Sequence, residues 1–213
     1  MRSPGRVVAV NVAGSPRTGA WTGDKRRTGI DKRPVDGPVR LDVDGVAGDT
    51  VCDTRHHGGP DQAVYAYSVA DLDFWRGELG RPMSPGAVGE NLTLSGVECS
   101  RAVLGERWRV GGAVLVVRGP RVPCRVFAGF HAVPDLVKRF VKAGRPGAYL
   151  AVERAGEVCA GDEVSVVSRP DHGVTVADVL AAMTGRRELV PGIGAVREHL
   201  GVRGRSWIDA RLG

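Results

Sequence analysis

The chain has 213 residues and a formal net charge of +6, with 30 Lys and Arg residues against 24 Asp and Glu residues. Glycine is frequent, at 31 residues, and no apolar run is long enough to span a membrane, so the composition predicts a β-rich globular protein. No signal-peptide pattern opens the sequence, and the four cysteines stand singly without a C-x-x-C pair. We therefore expect a cytoplasmic protein without a disulfide framework, a zinc ribbon or an iron–sulfur cluster.

Positive charge suits a nucleic acid or an anionic small ligand as partner. The basic residues alternate with acidic ones along the chain, and the densest cluster, at residues 25–27, is typical of a solvated loop. Single-stranded nucleic acids are bound by surfaces that interleave cations with aromatic side chains. This chain has only four Phe and three Tyr residues, without such a pattern. We therefore rank a nucleic-acid-binding β-barrel well below a binder of a small anion.

The first part of the chain predicts short strands that alternate with polar loops. Alternating apolar residues predict strands over residues 6–11 and 39–43, and the glycine-rich stretch 14–29 predicts an exposed loop. After this loop, Lys32 and Arg33 stand immediately before a proline, which stiffens the turn. The segment therefore presents two cations on a restricted backbone.

A His-His-Gly-Gly-Pro-Asp run at residues 56–61 precedes a strand predicted at residues 63–67. The two glycines permit positive φ and close backbone approach, so their N–H groups can point at an anion. The alternative is an ordinary β-turn with incidental histidines. We favour a site, with His57 before the glycines and Asp61 after them, because turn chemistry alone does not require a histidine.

The middle of the chain predicts two helices among several strands. A capping-box-like pattern predicts a helix over residues 68–79 that packs Leu72 and Trp75 into the core. Residues 134–143 predict the second helix, which Gly144 ends. Strands are predicted at residues 89–94, 107–110, 113–117, 148–153 and 163–168, with a Gly-Gly hairpin turn at 111–112. Several short strands with two inserted helices predict a closed or nearly closed β-barrel.

The stretch Gly-Pro-Arg-Val-Pro-Cys-Arg-Val-Phe at residues 119–127 carries the most chemical information. Its two prolines fix φ and favour an extended backbone before each of them, so we expect a stiff loop. The loop holds Cys124 between Arg121 and Arg125, and cationic neighbours favour the thiolate, which attacks electrophiles or binds metal. A buried structural cysteine is the alternative. We expect such packing roles for Cys52, Cys99 and Cys159.

After residue 168 the pattern changes from strands to helices. Three helices are predicted, the first capped by Thr175, the second around residues 195–200 and the third capped by Ser206. The sequence therefore predicts a β-barrel domain over residues 1–168 and a three-helix extension over residues 169–213.

Several motifs, in this order, resemble the MOSC domain, a family named for the C-terminal region of molybdenum cofactor sulfurases. They are Gly48-Asp49, His57-Gly58-Gly59-Pro60-Asp61-Gln62-Ala63-Val64, Gly89-Glu90-Asn91-Leu92 and Pro120-Arg121-Val122-Pro123-Cys124. The segment at residues 28–35 and the helical tail are similar to the YiiM-like branch, so the resemblance covers essentially the whole chain. It implies a mainly β fold with helices, a MOSC-type β-barrel followed by a small C-terminal three-helix extension.

The resemblance also implies a function. The chain would bind molybdenum cofactor (Mo-molybdopterin), a pyranopterin dithiolene with a phosphate, and Cys124 would supply the thiolate ligand to molybdenum. The implied cofactor-binding residues are Lys32, His57, Gly58, Gly59, Asp61, Glu90, Asn91, Arg121 and Arg125. Asn91 suits a turn cap equally well. The implied reaction is the reduction of N-hydroxylated small molecules, such as hydroxylaminopurines, to amines.

Partners and alternatives follow from the same residues. The sequence has no flavin or dinucleotide fingerprint, so we expect a separate reductase to supply electrons, and we expect no membrane partner. A non-catalytic role stays open, in which Cys124 holds a pterin or a persulfide as a cofactor or sulfur carrier. Turnover of a hydroxylamine with an artificial reductant distinguishes the two roles. His131, His172 and His199 have no partners at metal-ligand spacing and are expected to be structural or surface residues.

Overall fold

The fold is a closed β-barrel with helices around it, in a computed structural model that describes residues 4–25 and 27–213. The strands are β1 (Gly5–Val12), β2 (Arg33–Pro34), β3 (Val39–Asp42), β4 (Gly45–Val46), β5 (Val64–Ser68), β6 (Leu92–Ser95), β7 (Arg107–Val110), β8 (Ala113–Gly119), β9 (Ala148–Arg154), β10 (Gly156–Val158) and β11 (Glu163–Ser168). Seven of them close in the order β1-β11-β7-β8-β9-β5-β6 and back to β1, while β10, β3 and β4 form a small second sheet. The predicted β-barrel is confirmed.

Helices connect and follow the strands. They are α1 (Val69–Leu79), α2 (Arg125–Phe130), α3 (Leu136–Ala143), α4 (Val176–Met183), α5 (Val190–Gly194) and α6 (Val202–Leu212). Within the described residues, no helix combines the length and the apolar character that crossing a membrane requires. The predicted helices α1 and α3 are confirmed, since the hydroxyl of Ser68 accepts the N–H of Asp71 at 3.1 Å and Gly144 ends α3 in the left-handed conformation.

One barrel pairing is parallel, and this explains the position of α1. β5 and β6 run in the same direction, whereas the other barrel pairs among the described residues are antiparallel. Parallel neighbours need a crossover connection, which α1 and the segment after it supply. β7 and β8 form the predicted hairpin, in which Val110 pairs with Ala113 around the Gly-Gly turn.

Two apolar clusters hold the barrel and its helices together. The interior cluster receives side chains from every barrel strand. The second cluster lies on the outer side of β5, where Tyr65 and Tyr67 join Trp75 of α1 and Phe140 of α3. The rings of Trp75 and Phe140 stack with centroids 5.5 Å apart. β5 is therefore buried along its whole length, since its residues alternate between the two clusters.

α2 is not predicted from the sequence, which indicates a loop through residue 127. The helix has six residues, and isolated helices of this length are not stable by propensity alone. Tertiary contacts supply the stability, because Phe127 is buried in the aromatic cluster and the ring of Phe130 lies 5.8 Å from that of Trp21. The result matters for the site, since Cys124 is the N-cap of α2.

The tail contains three helices, but two of their predicted boundaries are wrong. α4 begins as predicted, with a reciprocal capping box between Thr175 and Asp178. The helix predicted around residues 195–200 is replaced by α5 and a short 3-10 turn, Arg197–His199. Apolar side chains of all three helices join the interior cluster of the barrel, including Val176, Val179, Ile193 and Ile208. The division between residues 168 and 169 stays a prediction.

The start of α6 depends on a distant residue. The sequence predicts a cap at Ser206, but the helix begins at Val202, and the preceding Gly201 offers no capping side chain. The carboxylate of Asp61, 141 residues away in the chain, accepts the N–H of Val202 at 2.8 Å instead. The prediction at Ser206 is therefore wrong because the cap comes from tertiary structure.

Candidate functional site

Most of the predicted site residues meet in one pocket of about 150 Å³, the inner pocket. It lies beside β5 and β9, between the segment that leads into β2 and the segment that leads into α2. Its lining includes Lys32, Asp49, His57, Gly58, Tyr65, Asn91, Arg121, Cys124 and Tyr149. Residues from position 32 to position 149 thus converge, which is the condition for a single site.

Cys124 is half-buried at the point where the chain leaves β8 and enters α2. Its backbone is extended, with φ −130° and ψ 169°, and its carbonyl accepts the N–H of Phe127 at 3.1 Å. Prolines restrict the segment at residues 120–123 that precedes it. A restricted segment on one side and a helix on the other therefore fix the position of the thiol at the pocket.

Arg121 is a buried cation beside that thiol. Its guanidinium lies over the ring of Phe127, 4.7 Å from the centroid, and 5.7 Å from the centroid of Tyr65. Its Nη1 atom has no hydrogen-bond partner among the residues that the structure describes. Burial acts to lower the pKa of the guanidinium, yet the net shift is upward, because ionised forms of the neighbouring tyrosines and of Cys124 act in the opposite direction. A donor of this kind is suited to an anion in the pocket.

Lys32 supplies a second buried cation. Its ammonium pairs with the carboxylate of Asp49, and burial lowers the pKa of Lys32 while Asp49 opposes that shift. Asp49 is held by two further donors, the amide of Asn91 at 2.9 Å and the N–H of Ala13 at 2.8 Å. Asn91 also accepts the N–H of Tyr65 at 3.1 Å. The predicted site residue Asn91 thus orders the pocket wall around the ion pair.

The loop at residues 56–61, the site loop, contributes only some of its residues to the inner pocket. Gly58 and Gly59 have φ of +74° and +80°, in the left-handed region that glycine adopts without strain. His57 Nδ1 and the hydroxyl of Tyr149 form a hydrogen bond of 3.1 Å, and burial raises the pKa of that hydroxyl. His57 and Gly58 line the inner pocket, whereas Gly59 and Asp61 do not. 

Glu90 lies behind the pocket, outside its lining. Its carboxylate accepts the N–H of Gly86 at 2.7 Å, the N–H of Val88 at 3.1 Å and the hydroxyl of Thr93 at 2.9 Å. Complete burial raises the pKa of Glu90 to about 7, although these hydrogen bonds oppose the shift. In this position Glu90 orders the turn at residues 86–90, whose Gly89 lines the pocket.

A second cavity of about 670 Å³, the outer pocket, adjoins the inner one. The two share His57, Gly58, Gln62, Cys124 and Tyr149. The remaining lining comes from the site loop, from the segment before Cys124 and from the helical tail, and its apolar members include Pro120, Val122, Pro123, Val179, Met183, Leu200 and Val202. Cys124 therefore borders an inner pocket lined by charged groups of both signs, including Lys32, Arg121 and Asp49, and an outer pocket that is mostly apolar.

Other predicted residues lie elsewhere. Arg125 is exposed and lines neither the inner nor the outer pocket but a third groove that Cys124 and Lys138 also border, so its cofactor-binding role stays a prediction. The expected packing role of Cys52 is wrong, because Cys52 is exposed and lines the inner pocket. Its local sequence does not indicate this position. His131 is structural as predicted, with Nε2 hydrogen-bonded to the carbonyl of Ala87 at 2.8 Å.

Asp49, Tyr65 and Tyr149 are among the lining residues that are not predicted as site residues from the sequence. Asp49 follows a glycine and resembles an ordinary turn residue. Only its place in the first of the motifs that resemble the MOSC domain indicates a further role. Tyr65 and Tyr149 resemble strand residues, and strand pairing brings them opposite each other on β5 and β9. No local pattern marks such a pair, since it depends on the register of strands far apart in the chain.

Comparisons with known proteins show the family of the chain. The family model of the MOSC domain matches residues 53–165. The chain is 36% identical to the uncharacterized protein YflK of Bacillus subtilis over 170 residues, which cover 80% of this chain and 76% of YflK. It is 32% identical over 189 residues to a Gibberella moniliformis protein named "Reductase", covering 86% of this chain and 33% of that protein, so the chain spans about a third of its length.

The fold also matches a solved structure. YiiM from Geobacillus stearothermophilus superposes with a TM-score of 0.81 at 29% sequence identity. The superposition covers 99% of this chain and 100% of that one, so it includes the helical tail as well as the barrel.

Proposed function

This chain belongs to the MOSC domain family, and we propose that it binds molybdenum cofactor in the inner pocket and reduces N-hydroxylated small molecules to amines. One observation carries the proposal. The thiol of Cys124 lines the same pocket as two buried cations, Arg121 and Lys32, and the Nη1 atom of Arg121 lacks a hydrogen-bond partner among the described residues. A soft metal ligand beside the unpartnered Nη1 donor of Arg121 suits an anionic metal cofactor.

The residues of the pocket fit this cofactor group by group. A thiolate from Cys124 would be the protein ligand to molybdenum, because thiolates suit soft metal centres. Arg121 and the backbone of Gly58, which has left-handed φ, would hold the phosphate or the polar edge of the pterin. Tyr65 and Tyr149 line the pocket and would offer ring surface to a flat heterocycle.

Reduction of an N–OH group to N–H consumes two electrons and two protons and releases water. Bound molybdenum would supply the redox chemistry of this oxygen removal, and a separate reductase would supply the electrons. The chain itself would supply protons where the pockets meet. His57 and the hydroxyl of Tyr149 stand in hydrogen-bond contact there, which gives a proton a path between them.

The two pockets meet at Cys124, which suits a cofactor in one of them and a substrate in the other. The inner pocket is lined by charged and polar groups, whereas the outer pocket adds room for a small molecule on the other side of Cys124. The Gibberella relative, of which this chain matches about a third, is named "Reductase", and this name supports the proposed oxidoreductase role.

The proposal is tested with protein produced in a host that makes molybdenum cofactor. Reduced methyl viologen serves as electron donor and a hydroxylaminopurine as substrate. We expect dye oxidation at two electrons for each amine formed, and no turnover by Cys124→Ser. Protein that carries the cofactor but forms no amine would contradict the enzymatic proposal and favour the carrier role of Cys124.

A further inference from the structure

The helical tail is tied to the loop that carries the site. Gly201 precedes α6 without a capping side chain, and the Asp61 carboxylate accepts the N–H of Val202 at 2.8 Å in its place. The two segments are in direct contact, because a side chain added at Gly201 would place its Cβ 2.8 Å from the Cβ of Asp61. An acceptor at a helix N-terminus stabilises the first turn, so Asp61 stabilises both the start of α6 and its place on the loop.

Two arginines strengthen the same junction. Arg118 lies at the end of β8 with Nε 3.7 Å from the Asp61 carboxylate, and its backbone carbonyl accepts the N–H of Gly201 at 3.0 Å. Arg203 of α6 donates to the side chain of Gln62 at 2.9 Å and to the carbonyl of Thr54 at 3.1 Å. The contacts thus run from the barrel through the site loop to the first turn of α6.

This junction forms one wall of the outer pocket. His57 and Gly58 of the loop line it on one side, and Met183 of α4 and Val202 of α6 line it on the tail side. A tail that moved away from the loop would widen the pocket beside Cys124. Most of the surface that this pocket offers to a substrate is apolar, with Val179, Met183 and Val202 among the lining residues of the tail.

We propose that Asp61 is a positioning residue that holds α6 against the site loop and thereby sets the width of the outer pocket for uncharged, ring-bearing N-hydroxylated substrates. The substrate part of this inference rests on the proposed function. Asp61 contacts Val202 and Arg118 and lines the outer pocket but not the inner one, so we expect its loss to leave the lining of the inner pocket in place.

The test compares three changes at the junction with one control. Asp61→Ala removes the acceptor, Asp61→Asn retains a side-chain oxygen for the N–H of Val202, and Gly201→Ala adds a methyl group that crowds Asp61. Gly201 has φ −66°, which alanine adopts without strain, so this change acts through crowding alone. Asp209→Asn is the matched control, since it removes an exposed ion pair with Arg197 near the other end of α6.

Hydrogen exchange is the first readout, and it does not depend on activity. We expect amide exchange in residues 54–62 and 201–205 to become about fivefold faster in Asp61→Ala and Gly201→Ala, as loss of a helix cap implies. Asp61→Asn and Asp209→Asn should exchange as the wild type does. Unchanged exchange in both disruptive variants would overturn the proposal.

Kinetics of the cofactor-loaded protein are the second readout. For a hydroxylaminopurine, we expect kcat/KM of Asp61→Ala to fall by about ten- to a hundredfold, mainly through KM, with molybdenum content unchanged. Reduction of hydroxylamine itself, which is too small to need the tail wall, should be unaffected. Loss of molybdenum equal to that of Cys124→Ser would overturn the proposal by making Asp61 a cofactor ligand. If the wild type reduces neither compound, the proposed function fails, and exchange alone decides whether Asp61 holds α6.

Discussion

Lys32 and Asp49 form a buried ion pair in the wall of the inner pocket, with side chains only 8% and 6% exposed. The pair is not isolated, because Asn91 and the backbone of Ala13 also donate to Asp49. Four segments of the chain therefore meet at one carboxylate. Removing either charge leaves the other buried without its partner, which makes the pair a sensitive point of the fold.

Asp49→Asn tests the contribution of this pair to stability. The neutral amide retains an oxygen for the Ala13 N–H but leaves the Lys32 ammonium buried and unpaired. We expect the free energy of unfolding to fall by about 3–5 kcal/mol, measured by urea denaturation. The control is Asp42→Asn, which breaks an exposed pair with Arg40 and should change stability by less than about 0.5 kcal/mol. Equal effects of the two changes would contradict the burial argument.

Arg121 is predicted to bind the cofactor and not to stabilise the fold. Its buried Nη1 lacks a partner among the described residues, and an unsatisfied buried donor is unfavourable by about 1–3 kcal/mol. Arg121→Met keeps an apolar stem against Phe127 and removes the charge. We expect the cofactor-free variant to be at least as stable as the cofactor-free wild type, while molybdenum content falls sharply. A clear loss of stability with full molybdenum content would assign Arg121 a structural role instead.

The sequence predicts the barrel and the main site residues because their signals are local. The β7–β8 hairpin depends on a glycine turn, α4 on its own capping box, and Cys124 on the prolines and arginines around it. The features that the sequence does not predict depend on contacts between distant segments of the chain. α6 begins at Val202 because Asp61 caps it, and Asp49 becomes a site residue only when folding brings Lys32 to it.

The raised pKa of the buried Glu90 carboxyl should make the stability of the fold depend on pH. Its pKa is about 7 in the fold and near 4.5 when exposed, so between these values the folded chain retains a proton that the unfolded chain has lost. Its contribution is therefore fully present below pH 4.5 and is lost as pH rises through 7. We expect the stability of the wild type relative to Glu90→Gln to fall by roughly 3 kcal/mol between pH 4.5 and 8. Other titrating groups cancel in this difference, and a pH-independent difference would contradict the assignment.

His57 is predicted to act in proton transfer. His57→Phe preserves a ring of similar size but removes the hydrogen bond to Tyr149. We expect kcat for a hydroxylaminopurine to fall by about a hundredfold, while molybdenum content is retained. The neighbouring His56 is exposed and pairs with Asp53, so His56→Phe is the control and should leave kcat unchanged. Loss of kcat in both variants would point to disruption of the loop and not to proton transfer.

The central claim is that Cys124 holds molybdenum in the inner pocket. Its most direct test is the molybdenum and pterin content of wild type, Cys124→Ser and Cys52→Ser, each produced in a host that makes the cofactor. Cys52 is a stringent control because it is exposed and lines the same pocket. We expect near-stoichiometric molybdenum in wild type and Cys52→Ser, with loss in Cys124→Ser. Metal-free wild type, or equal metal in all three proteins, would contradict it.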